Sequence, residues 1–310
     1  MSAEKKWTQA EVVALYNKPI MELLYEAATV HRSYHDPNKV QMSTLISIKT
    51  GGCPEDCAYC PQAARYHTDV KAERLMSVEQ VKAQAMAARA GGSSRICMGA
   101  AWRNVKDGPE FDQVLEMVRT LNRLDMEVCC TLGMLTENQA QRLSEAGLYA
   151  YNHNLDSSAE YYEEIISTRS YDDRLRTIEN VRKTNITVCS GGIIGMGESI
   201  ANRADMLITL ASLIPQPESV PINALVPVAG TPMEAMETVS VWEMVRMVAT
   251  ARILLPQTQV RLSAGRSTMS REGQALCFFA GANAIFAGDK LLTTPNPDVN
   301  EDLVMFKTLG

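Results

Sequence analysis

Eight short runs of β-branched and apolar residues, at 44–48, 95–99, 127–132, 149–154, 187–190, 221–225, 259–263 and 284–287, alternate with longer segments of helical period. Parallel strands joined by crossover helices read this way, because a strand buried on both faces is apolar throughout while each helix keeps one polar face. Eight such units suffice to close a (β/α)8 TIM-type barrel, and 310 residues accommodate one barrel with extensions. The expected fold class is therefore α/β, with a barrel domain over 41–310 and a helical N-terminal extension over 1–40. A doubly wound open sheet gives a similar alternation, so closure is what the structure has to decide. Helices are expected at 77–90, 136–146, 171–184 and 239–255, several with Ser or Thr near the start as an N-cap.

A net charge of -6 argues against a nucleic-acid binder, which would need clustered Lys and Arg to neutralise phosphates. The first twenty residues lack the apolar core and cleavage site of a secretory signal, and no stretch is apolar enough to span a bilayer, so a cytoplasmic enzyme acting on a small molecule is expected. A reducing cytosol would keep the eight cysteines as thiols, which makes metal ligation their leading explanation.

The loop after the first strand carries Cys53, Cys57 and Cys60 at C-x3-C-x2-C spacing. Three thiolates from one loop leave one iron of a cubane open to an outside ligand, whereas structural zinc usually takes four protein ligands in paired C-x2-C units. With Tyr59 before the last cysteine, the loop resembles the hallmark of the radical S-adenosylmethionine (SAM) superfamily. The resemblance implies a [4Fe-4S] cluster on these cysteines that binds SAM and cleaves it to a 5′-deoxyadenosyl radical. Gly191 to Glu198 resembles that superfamily's G-x-I-x-G-x-x-E motif, which places Gly191, Ile193 and Gly195 beside SAM; the alternative is that the glycines only permit a tight turn. The superfamily's usual G-G-E after the second strand is missing, and Met98-Gly-Ala-Ala-Trp102 stands there instead.

Cys97, Cys129, Cys189 and Arg261 fall in the second, third, fifth and seventh strand runs. Inward-facing residues of different strands converge inside a closed barrel, although for any single cysteine a small buried hydrophobe is the simpler reading. Their surroundings, including Cys97-Met-Gly-Ala-Ala-Trp, Tyr151-Asn-His-Asn-Leu-Asp156, Val188-Cys-Ser-Gly-Gly, Val220-Pro-Ile-Asn223 and Val260-Arg-Leu-Ser-Ala-Gly-Arg266, resemble the biotin synthase family over roughly 43–309. That resemblance implies a [2Fe-2S] cluster held by Cys97, Cys129, Cys189 and Arg261, with dethiobiotin as substrate and sulfur insertion as the reaction. The rivals are another radical SAM enzyme, such as a hydrogenase-maturation relative, and a non-enzymatic iron–sulfur carrier. Cys130 departs from the family pattern, but adjacent strand residues face opposite sides, so it is read as packing; Cys277, in an apolar helical segment, is read the same way.

By the period of two, Asn152, Asn154 and Asp156 share one face of the fourth strand, with Tyr151 and His153 on the other. The resemblance implies SAM contacts from Tyr59, Asn154, Asp156 and Arg174, with Arg169 competing for the last role, since a helical arginine is ordinarily a solvated surface charge. It also implies substrate contacts from Asn154 and Asn223, and Lys49, Thr293 and Thr294 are candidates at the barrel mouth. An electron donor such as flavodoxin or ferredoxin and a homodimeric assembly complete the expectations.

Overall fold

The structure, a computed structural model, describes residues 6–288 and 290–310. Strands β1 (Gln41–Lys49), β2 (Arg95–Ala100), β3 (Glu127–Thr131), β4 (Ala150–Asn152), β5 (Thr187–Cys189), β6 (Gly192–Ile194), β7 (Ser219–Ala224), β8 (Gln259–Leu262) and β9 (Ala284–Phe286) form one parallel sheet. The sheet runs in the order β5-β4-β3-β2-β1-β9-β8-β7-β6, and β5 also pairs with β7 through Cys189 and Ser219, which closes the barrel. The nine segments make eight staves, because β5 and β6 are two halves of the fifth. At the break a Cβ on Gly191 would lie 2.0 Å from the Pro221 carbonyl oxygen, so only glycine lets the staves approach this closely.

Helices α1 (Gln9–Tyr16) and α2 (Ile20–Tyr34) precede the barrel and pack on its outer shell, α1 against α8 (Ile200–Ser212) and α2 against α9 (Val241–Leu254). The shell also contains α3 (Val78–Ala90), α4 (Pro109–Asn122), α5 (Glu137–Glu145), α7 (Tyr171–Arg182) and α10 (Arg271–Phe279), with a single turn α6 (Ala159–Tyr162). Ser77, Thr136, Ser170 and Ser199 cap α3, α5, α7 and α8 with reciprocal capping boxes, so the chain sets each helix start locally. The C-terminal helix α11 (Val299–Leu309) follows a hairpin of β10 (Lys290–Leu291) and β11 (Thr294–Pro295).

Two separate sets of buried side chains result. The large outer core between strands and helices contains Cys130 and Cys277, while Cys97, Cys129 and Ala150 pack with Leu45 and Phe286 inside the barrel. The pleat separates the adjacent Cys129 and Cys130 onto these two sides. Cys97 is paired in register with both Leu45 and Cys129, and Cys129 in turn with Ala150, so the interior set occupies one level of the barrel.

Candidate active site

A cavity of about 340 Å³ fills the barrel and the loops at the C-terminal ends of its strands, where barrel enzymes place their chemistry. Six of the eight cysteines line it: Cys53, Cys57 and Cys60 from the loop after β1, and Cys97, Cys129 and Cys189 from the strands below. All are free thiols. Among the described residues no three His, Cys, Asp or Glu side chains gather as a single ion would need. A multi-iron cluster spreads its thiolates over several irons and asks for a different arrangement.

The first loop is held by its own acids. Asp56 accepts from the backbone N–H of Ser167 at 3.0 Å and of Thr168 at 3.1 Å, and from both hydroxyls; burial opposes its ionised form, yet these bonds outweigh that and hold the carboxyl down at about 2. The same Thr168 hydroxyl, with its one proton shared between the two acids, also lies against the buried Glu55 carboxylate. Burial raises all three thiols, Cys57 to about 11 and Cys60 to about 12, so an electropositive partner is needed to hold them as thiolates. Arg169 supplies part of that field, with Nη2 3.6 Å from Cys57 Sγ.

Asp156 sits beside this loop. Its Oδ2 accepts from the Tyr59 hydroxyl at 3.0 Å and from Arg174 Nη2, and Tyr162 accepts from Arg174 Nε at 2.8 Å and Arg169 Nε at 3.2 Å. Arg174 is therefore not a solvated helix charge: it is 5 % exposed, paired inward, and lines the cavity with Arg169, Tyr59, Asn154 and Ile193. Both arginines reach the site, so the sequence alternatives are neighbours. The fourth strand does not remain regular, as it ends at Asn152 and Asp156 takes a left-handed φ of 67°. Its continuation is stitched to the fifth stave by Ile193 N–H donating to Asp156 O at 2.9 Å. Consequently His153, expected on the opposite face, also lines the cavity; burial and the two arginines keep its ring neutral.

Gly191 and Gly195 do not line the cavity. A Cβ on Gly195, whose φ is +94°, would lie 2.3 Å from Val239, so packing demands glycine there as at Gly191. Glu198 accepts from the N–H groups of Gly195 and Met196 at 2.9 and 2.7 Å and fixes this turn. Asn223 lines the wall and spends one amide N–H on Gly192 O, at 2.9 Å, and one lone pair on Ala264 N–H, at 3.2 Å. One donor and one acceptor of its amide remain. Thr293 and Thr294 line the mouth beside Leu291 and Leu292, whereas Lys49 does not: the β1 register shifts between Ser47 and Lys49, and the ammonium turns to Gly51 O at 3.2 Å.

Deeper in the barrel, Cys97 and Cys129 are register partners packed side by side, and their contact holds the first thiol down and, together with burial, the second up. Asn152 Nδ2 donates to Cys189 Sγ at 3.2 Å. Arg261 is 1 % exposed, and its Nε finds no partner among the described residues. Three thiols converge here with a buried guanidinium and that unpaired Nε–H; as thiolates the three could hold an iron–sulfur cluster, and the guanidine nitrogen could complete the set on losing its proton. Arg95, which lines the same floor and pairs with Glu127 and Glu218, is absent from the sequence expectations. Its place two residues before Cys97 on the same strand face is the signal that would have found it.

A parallel barrel with a three-cysteine loop at its open end defines a radical SAM enzyme, and the model of the radical SAM superfamily matches residues 47–210. The model of the Biotin and Thiamin Synthesis associated domain matches residues 221–310. The chain belongs to the biotin synthase family: it is 77% identical to the biotin synthase of Christiangramia forsetii over 310 residues, which are 100% of this chain and 85% of that protein. The biotin synthase of Flavobacterium psychrophilum is 76% identical over 304 residues, 98% of this chain and 84% of its own. Solved structures of methylornithine synthase (17% identity, TM-score 0.81, covering 99% of this chain and 94% of that one) and of the FeFe-hydrogenase maturase HydG from Carboxydothermus hydrogenoformans (17%, 0.82, 99% and 76%) share the fold.

Proposed function

We propose that the chain converts dethiobiotin to biotin, with Cys53, Cys57 and Cys60 holding a [4Fe-4S] cluster and Cys97, Cys129, Cys189 and Arg261 holding a [2Fe-2S] cluster. When bound, the first cluster and SAM supply a 5′-deoxyadenosyl radical for hydrogen abstraction, and the second cluster supplies sulfur. The observation that carries this reading is the placement of two thiol trios in one cavity, one at the mouth and one on the strands beneath.

Tyr59, Asn154, Asp156, Arg174 and Ile193 line the space between mouth and floor, where they would orient SAM, with Gly191 and Gly195 shaping the turn beneath its adenine. Asp156 offers carboxylate oxygens to ribose hydroxyls, and Arg174, already anchored, offers a cation to the SAM carboxylate. Asn223 has the spare donor and acceptor that a neutral cyclic urea matches. Thr293 and Thr294 face the mouth as hydroxyl partners for the substrate tail, and Lys49, outside the wall, would add charge only by releasing Gly51. Leu291, Leu292 and Trp102 close the wall with apolar surface that excludes water from a reactive radical.

We take residues 1–40 as an extension of the 41–310 barrel domain, residues 1–5 lying outside the described residues. A cytoplasmic homodimer reduced by flavodoxin or ferredoxin is the setting this reading implies. Among the described residues no helix is long and apolar enough to cross a membrane.

Anaerobically reconstituted protein given SAM, reductant and dethiobiotin is expected to release both 5′-deoxyadenosine and biotin. 5′-Deoxyadenosine without biotin would refute sulfur insertion. Asp156→Asn is expected to weaken SAM binding about tenfold to hundredfold, the worth of about 1.5–3 kcal/mol for a hydrogen bond to a charged group. Equilibrium binding of SAM to the cluster-loaded variant checks this, and unchanged affinity removes Asp156 from the SAM site.

A further inference from the structure

Strand β1 begins three residues before its apolar run, and its first inward positions are polar: Gln41 and Ser43 lie on the face that Leu45 continues. Both bind Arg261. Its Nη1 donates to Ser43 Oγ at 2.8 Å and to Ile285 O at 2.9 Å, and its Nη2 donates to Gln41 Oε1 at 3.0 Å. Every one of these partners is neutral. Among the described residues a carboxylate is reached only through Gln41, whose Nε2 donates to Glu127 Oε2 at 3.1 Å. That oxygen also accepts from Arg95 Nε at 2.8 Å, and the remaining donors of Arg95 take both oxygens of Glu218 at 2.9 and 3.2 Å.

From this chain of contacts we infer that Gln41 is a positioning residue for Arg261, fixing the rotation of the guanidinium over the Phe286 ring and leaving its Nε edge for the second cluster. The inference rests on the proposed role of Arg261 as a ligand of that cluster. The amide of Gln41 has one possible sense: reversed, it would set its NH2 against a guanidinium and its oxygen against a carboxylate. Glu127, itself fixed by Arg95, thereby holds the amide oxygen toward Arg261. The Phe286 ring, its centroid 4.7 Å from Arg261 Cζ, limits the tilt of the plane, whereas rotation of the guanidinium over that ring is held by Ser43 and Ile285 at Nη1 and by Gln41 at Nη2. Only Gln41 restrains Nη2 among the described residues. Groups behind a metal ligand are worth about 10–100-fold in metal affinity, although they touch no metal.

The test uses protein reconstituted with both clusters and follows the resonance Raman bands of the second cluster and its rate of loss to a chelator. Gln41→Met, similar in length but without the amide, is expected to shift those bands and to speed the loss about tenfold, with the first cluster unaltered. The paired change Gln41→Glu with Glu127→Gln keeps an acceptor for Nη2 and returns a donor behind it, and should restore bands and lifetime. Bands and lifetime unchanged in Gln41→Met overturn the inference, and so does a change that the pair fails to reverse, which is packing damage alone. Should Gln41→Met not fold, Glu127→Ala at the half-exposed rim releases the same amide and is expected to move the same bands; unmoved bands overturn the inference. Arg261→Met is measured in parallel. If it leaves the second cluster's spectrum intact, the ligand assignment and the inference both fall; if it alters the spectrum and Gln41→Met does not, only the positioning role falls.

Discussion

Replacing Cys53, Cys57 or Cys60 singly with alanine is expected to reduce 5′-deoxyadenosine formation to the background of cluster-free protein. The loop has no thiol to spare. Cys97, Cys129 and Cys189 are fixed on strands, and Cys130 and Cys277 lie in the outer core beyond the barrel wall. The loop's shape does not depend on its sulfurs, because Asp56 and Glu55 tie it to Ser167 and Thr168 through oxygen. Each variant should therefore fold, melt close to the parent and still load the second cluster. Anaerobic assay of SAM cleavage against iron content is the check. Retained 5′-deoxyadenosine formation in all three variants would take the radical-generating cluster away from this loop.

The second large effect separates radical formation from sulfur insertion. Cys97→Ala and Cys189→Ala are expected to stop biotin formation while SAM cleavage continues, since each removes a thiolate from the deeper set and leaves the loop intact. Arg261→Ala should lose activity only in part, because it removes a nitrogen rather than a thiolate from a soft metal. Isotopic labelling settles the donor: the second cluster is rebuilt with labelled sulfide, one turnover is run, and the biotin is weighed by mass spectrometry. Unlabelled biotin from a verifiably labelled cluster would sink the assignment even if the cluster proved necessary for folding.

The fold was legible because each stave has an apolar centre and most helices carry their own caps. What the sequence concealed lies where that logic is suspended. The start of β1 holds Gln41 and Ser43, which the apolar run at 44–48 leaves out; they are strand residues because their side chains bind the buried Arg261 on the barrel floor. The fifth stave is broken at Ser190 and Gly191, and no local propensity announces a break whose cause is a neighbouring carbonyl. Strand parity placed Cys129 inside and Cys130 outside, a local rule applied to a regular strand. The same rule failed at His153, because the chain leaves the strand one residue earlier. Arg174 was hard to judge because a helical arginine reads as solvated, while its burial depends on Asp156 and Tyr162, eighteen and twelve residues away.

The left-handed backbone at Asp156 decides in advance what evolution or a mutational library can sample there. Aspartate, asparagine and glycine enter that conformation readily, while a β-branched side chain meets the following carbonyl and strains the turn. A saturation library at this position would thus reject valine, isoleucine and threonine for reasons of conformation before chemistry is consulted. Of the residues that keep the turn unstrained, only asparagine removes the charge and preserves the shape.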